Sequence, residues 1–177
     1  MSITDDIKAC VATHEGKRLF HLPLFLPGEY TLREMIVSDE VREAATPPWP
    51  ENYEGLRRSG FRGELDAFTK GEEFSVAEDP FKKPGYAMLA RVHPVSDEIW
   101  DIRSSDPRPG IRGLGAFGGK DFFIAIVWDY RENFDEDADH WTSEIERCKA
   151  VWNELFGSIP RFRGASLDEY ISNYYAV

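Results

Sequence analysis

The sequence predicts an α+β fold in which an antiparallel four-stranded meander sheet is packed by N-terminal and C-terminal helices. Three observations carry that expectation. Apolar residues recur at three- and four-residue spacing near both ends of the chain. Between Tyr86 and Tyr130 they alternate or run together in short segments instead. The connections in that middle region are short polar turns, whereas parallel neighbours would need crossovers of about a dozen residues or more. A chain of 177 residues, 42% of them hydrophobic, is long and apolar enough for one core. We therefore expect a single domain over 1–177, with a helical part at 1–50, a loop-rich connector at 51–85, and the sheet plus C-terminal helices at 86–177.

Residues 3–14 place Ile3, Ile7, Cys10, Val11 and His14 at helical spacing, with Ser2 or Thr4 available as a cap. The apolar run "LFHLPLFLPGEY" is broken by Pro23 and Pro27, so it reads as an extended or edge segment. Thr31 and Glu34 form a capping-box pair, which predicts a helix continuing or restarting at Ser38 and ending near Ala45. "TPPWPENYEG" is a loop, and Leu65 and Phe68 mark a short helix over 62–69 that stops near Gly71. After the break "EDPFKKPG" come four strands: "YAMLARVH", "EIWDIRS", "IRGLGAF" and "DFFIAIVWDY". In the last, Phe122, Ile124, Ile126 and Trp128 form one set, and Phe123, Ala125 and Val127 the other. A strand apolar on both faces is expected to be central and covered on both sides. Trp141, Ile145, Cys148, Val151, Trp152 and Leu155 then define a helix ending at Gly157. Ser166 and Glu169 open a short amphipathic C-terminal helix carrying Leu167, Tyr170, Ile171 and Tyr174.

Composition narrows function. The formal charge of −11 repels phosphate backbones and anionic membranes at long range, which disfavours nucleic acid except through a local arginine patch. The longest apolar run, Phe122 to Trp128, is far short of the roughly 20 residues that cross a bilayer. The acidic start "MSITDDIKAC" lacks a signal-peptide core, and the two cysteines, Cys10 and Cys148, have no ligand-like spacing. The expectation is a cytoplasmic protein with reduced thiols, no membrane association and no cofactor.

"GLGAFGGKD" satisfies G-x-G-x-x-G at Gly113, Gly115 and Gly118, but a strand follows it where a dinucleotide fold needs a helix N-terminus. Leu114 and Asp121 also break the phosphate-loop pattern. The stretch is read as a hairpin that turns at Gly118-Gly119, with Gly113 and Gly115 leaving a notch for a bulky neighbour. Asp135, Asp137, Asp139 and Glu146 occupy positions 1, 3, 5 and 12 of an EF-hand-like loop and are the calcium candidates, although His140 stands where that loop requires glycine. The histidines (His14, His21, His93 and His140) show no ligand pairing, and no nucleophile elbow or distinctive carboxylate couple is present. Arg103, Arg108 and Arg112 flank the "SSDPRPG" turn and Arg131 ends the next strand. With Arg161 and Arg163 they are candidates for one anion- or RNA-binding patch, while Asp101, Asp106 and Asp129 offer ordinary ion pairs.

The order Trp100-Asp-Ile-Arg103, Gly110-Ile-Arg112, Phe117, "FFIAIVW" and Glu144-Ile-Glu-Arg-Cys-Lys149 resembles the RelE/HigB-type toxin superfamily over residues 86–156. That resemblance implies a helical hairpin on a small antiparallel sheet and mRNA cleavage, often on the ribosome. Arg103 and Arg112 would then be phosphate contacts and Arg131 a third. The Lys/His-rich segment expected after the apolar strand is here "DYRENFDEDAD". The first functional expectation is a non-catalytic module that binds a protein partner or small ligand. The alternatives are a RelE-like ribonuclease and a calcium-binding protein.

Overall fold

The computed structural model describes every residue, Met1–Val177. Its eight strands are β1 (Leu19–His21), β2 (Glu34–Ser38), β3 (Phe74–Ala77), β4 (Leu89–Arg91), β5 (Trp100–Arg103), β6 (Ile111–Gly119), β7 (Phe122–Tyr130) and β8 (Tyr174–Ala176). Six helices accompany them: α1 (Ile3–His14), α2 (Asp39–Ala45), α3 (Tyr53–Lys70), α4 (Arg131–Glu136), α5 (Ala138–Phe156) and α6 (Leu167–Tyr170). No helix is long and apolar enough to cross a membrane.

The sheet corrects the expected four-stranded meander. It is one mixed eight-stranded sheet in the order β1-β2-β7-β6-β5-β4-β3-β8, within an α+β fold. Strands β4 to β7 are consecutive antiparallel neighbours, but they form only its middle. The parallel joins of β2 to β7 and of β3 to β4 extend it on both sides, and β8 adds a further parallel edge. The strands hidden from sequence reading are short. Met35, Ile36 and Val37 of β2 are all buried, so "EMIVS" packs on both faces and shows no alternation. The Thr31–Glu34 pair opens no helix. Instead Ser38 caps α2, its hydroxyl accepting from the Val41 amide at 3.3 Å and donating to the Ile126 carbonyl at 2.6 Å. Residues 51–85 hold the 18-residue α3 and β3. Beyond α6 the chain does not continue as a helix: Tyr174 enters β8.

Helices cover both faces. On one, Val41, Phe61, Leu65, Phe68, Leu167 and Tyr170 from α2, α3 and α6 pack on Val37, Trp100, Ile102, Phe117 and Phe123. On the other, Ile7, Val11, Phe134, Ile145, Cys148 and Trp152 from α1, α4 and α5 pack on Ile36, Leu114, Ile124, Ile126 and Val127. Strands β6 and β7, both interior to the sheet, are therefore apolar on both sides. An extra residue sits in β7 where the register passes from Leu114↔Val127 to Gly115↔Ala125. This bulge at Ile126 re-aims the strand end: Trp128 packs with the α2/α3 core, away from Ile126. The hairpin turn is also displaced from its expected place. Gly118 and Gly119 lie within β6, and the positive φ of 57° falls on Asp121. The notch at Gly113 is filled by Phe61 of α3, whose ring would stand 2.8 Å from an added Cβ.

Candidate functional site

The strand pair β5/β6 sets Arg103 directly opposite Arg112. Side chains alternate along a strand, so Asp101 shares their face, which is the one covered by α5. Two further pieces close the site. The β3–β4 connection contributes Pro80 and Lys83, and the start of α5 contributes Trp141, Thr142 and Ile145. Together with Val92 and His93 they line a cavity of about 400 Å³, within the size range of small-ligand sites.

Asp101 lies at the centre and is fully buried. Its Oδ2 accepts from Arg103 Nε at 2.8 Å and from Arg112 Nη1 at 2.5 Å, while Lys83 Nζ stands 3.9 Å from Oδ1. Three cations thus share one carboxylate. Asp129, which faces Arg112 across the β6/β7 ladder, is already engaged: it accepts from Asn133 at 2.7 Å and pairs with His140 at 2.8 Å. Lys83, Arg103 and Arg112 are thus paired with no acid other than Asp101. Side-chain exposure is 14% for Lys83, 11% for Arg103 and 8% for Arg112, so water screens these charges poorly.

The titration behaviour reflects this crowding. Burial pushes the Asp101 carboxyl up, yet the charges of Arg103, Lys83 and Arg112 outweigh it and hold the group below its ordinary value. Burial pulls Lys83 down. Asp101 opposes that pull and the two guanidiniums reinforce it, leaving the ammonium below its usual range. Arg112 is lowered for the same reasons, burial first. Hydrogen-bonding capacity remains unused on both sides: the Arg112 Nε donor and the Asp101 Oδ1 acceptor are buried without hydrogen-bond partners. Trp141 caps the group, its ring centroid 5.4 Å from Lys83 Nζ and 5.3 Å from the Arg112 guanidinium carbon. The floor is cationic, and the walls formed by Pro80, Val92 and Ile145 are apolar. Such a site can hold a small anion with a short apolar body.

Of the arginines singled out from sequence, only Arg103 and Arg112 meet here. Arg108 is exposed on its turn, and Arg131 pairs with Asp135 at 3.2 Å. Arg161 donates to the Asp97 carbonyl and Arg163 to Glu98, on different ground. The calcium candidates do not converge either. Asp135 is held by Arg131, and Glu146 by Lys149 at 2.9 Å. Asp137 caps α5 through the Asp139 amide. No group of three or more His, Cys, Asp or Glu side chains is placed to hold a metal ion. Cys148 is buried, and that burial pushes its thiol up to about 12, which makes it a poor nucleophile.

Sequence reading missed Lys83, His93 and Trp141 as site residues. Lys83 sits in a connection whose path depends on the unforeseen pairing of β3 with β4, and Trp141 read only as a helix-face aromatic. The doublet "KK" beside prolines was the one available signal for Lys83. No protein-family model, curated protein or solved structure matches this chain.

Proposed function

We propose that this chain is a non-catalytic binding module whose ligand is a small organic anion, seated on Lys83, Arg103 and Arg112 beneath Trp141. The observation that carries this reading is the set of three cations that share one carboxylate and line a half-enclosed cavity on a protein of net charge −11. Guanidinium forks suit carboxylate and phosphate alike, and the apolar walls favour a ligand with some hydrocarbon behind its charge. A cytoplasmic setting belongs to the same reading, since Cys10 and Cys148 are both free thiols.

Titration calorimetry and thermal shift with short monocarboxylates, organic phosphates and inorganic phosphate test the reading and separate the two anion classes. We expect one class to bind and to raise the melting temperature. Arg112→Lys keeps the charge but loses the fork, and should weaken binding about 10-fold or more, the equivalent of one charge-assisted hydrogen bond. Lys83→Met should weaken it comparably. No binding by any anion, or binding untouched by both substitutions, removes the proposal. The ribonuclease reading requires Arg103 and Arg112 exposed and uncompensated. Both are largely buried, out of reach of an RNA backbone, so we do not adopt it.

A further inference from the structure

We propose that Lys83 captures the carbonyl carbon of a 2-oxo acid as a covalent imine while Arg103 and Arg112 hold its carboxylate. This rests on the anion-binding reading and deepens it by naming the ligand class. The first support is the state of the amine. Lys83 Nζ is largely shielded from water, and its nearest carboxylate oxygen, Asp101 Oδ1, lies 3.9 Å away, beyond hydrogen-bond distance. An ammonium held this loosely is free to meet an electrophile. Its lowered proton affinity, set by burial and by two neighbouring guanidiniums, raises the share of neutral, nucleophilic amine, as in lysines that react with carbonyl substrates.

The second support is spatial. All three cations adjoin the same Asp101 carboxylate and line the same cavity, so the amine and the guanidiniums face one space the size of a small ligand. A 2-oxo acid has the matching pattern, with its electrophilic carbon next to its carboxylate. When the guanidiniums hold that carboxylate, the carbonyl carbon lies within reach of Nζ, and the reaction becomes intramolecular in character. The side chain of the acid would extend toward Pro80, Val92 and Ile145.

The step balances without any co-reactant. The nitrogen lone pair of neutral Lys83 forms the C–N bond as the carbonyl π pair moves to oxygen. Two of the three protons first carried by the ammonium transfer to that oxygen, which leaves as water. One proton stays on the nitrogen of the protonated imine, so the positive charge is conserved.

The test treats the full-length protein with pyruvate or glyoxylate and then sodium borohydride, followed by intact-mass and peptide-mapping spectrometry. Calorimetry with lactate, which lacks the carbonyl, runs in parallel. The expected result is one reduced adduct per chain, mapped to Lys83 in the wild-type protein and lost in Lys83→Arg. Adducts scattered over surface lysines, or an unchanged adduct in Lys83→Arg, overturn the proposal. If lactate binds and no adduct is trapped, the imine is wrong and the anion site stands. If neither lactate nor the oxo acids bind, the imine falls together with carboxylate binding. Mapping on the wild-type protein keeps the outcome decisive should the variant fail to fold.

Discussion

Asp101 is the residue on which the site turns. Removing a single partner from a buried ionic group costs far more than the group contributes net, because the remaining charges are left in low dielectric. Asp101→Asn should therefore lower stability by about 3–5 kcal/mol, read by urea denaturation at neutral pH. The sign with pH follows from its depressed carboxyl. Its contribution is complete above the ordinary carboxylate value and disappears as pH falls through the lower folded value. The wild-type protein should lose stability on acidification in that low range, and the Asn variant should lose less. A variant as stable as wild type would mean that the cations are solvated after all. At this scale Arg103 and Arg112 were legible, because "WDIR" and "GIR" flank one turn and strand pairing followed from it. Their burial was not, since it comes from Trp141 and the β3–β4 connection, both distant in sequence.

Among the elements, α3 shows how far local signals reach. Its stop at Gly71, with φ of 77° and the cap amide donating to the last-turn carbonyls of Ala67 and Phe68, was readable from the glycine. Its start was not, because Asn52 caps it from inside a stretch that reads as pure loop: the Asn52 side chain accepts from the Gly55 amide at 3.1 Å. The helix also carries a misplaced charge. Burial pushes the Glu64 carboxyl up to about 7, and the negative charge of Glu72 adds to the effect. A raised folded value means that stability is fullest below the unfolded value and declines as pH climbs through about 7. Glu64→Gln should be near neutral at about pH 5 and stabilising at about pH 8, measured by thermal melts at both. Identical pH profiles for the two proteins would refute this. The strand elements divide in the same way. The long β6 and β7 announced themselves, whereas β2, β3 and β8, of three to five residues, owe their state to neighbours that local sequence does not contain.

For the molecule as a whole, Arg33 ties the distant segments together. Fully buried, it donates to the carbonyls of Phe68 at 3.1 Å, Glu72 at 3.0 Å, Ser172 at 2.5 Å and Asn173 at 3.2 Å, and it stands 3.4 Å from Asp121. One side chain thereby joins the end of α3, the β6–β7 turn and the approach to β8. Arg33→Met would orphan several carbonyls at once and should cost about 3–5 kcal/mol, with amide exchange rising together in β8 and at the end of α3. Exchange confined to one of them would show that the arginine serves local packing only. No pattern in "TLREM" hints at this role, because its partners are four backbone carbonyls and the distant Asp121 carboxylate, all brought to it by tertiary structure.

The parallel join of β2 to β7 also bears on how the chain is made. The Ser38 hydroxyl meets the Ile126 carbonyl across a sequence separation of 88 residues, and β2 has no partner on that side until β7 exists. During synthesis the N-terminal third must wait, with Met35, Ile36 and Val37 unburied, while most of the chain is translated. Distant pairings of this kind slow folding toward the millisecond-to-second range and lengthen exposure to wrong partners. A nascent chain stalled before Phe122 should leave β2 open to protease, and one in which β7 has emerged should protect it.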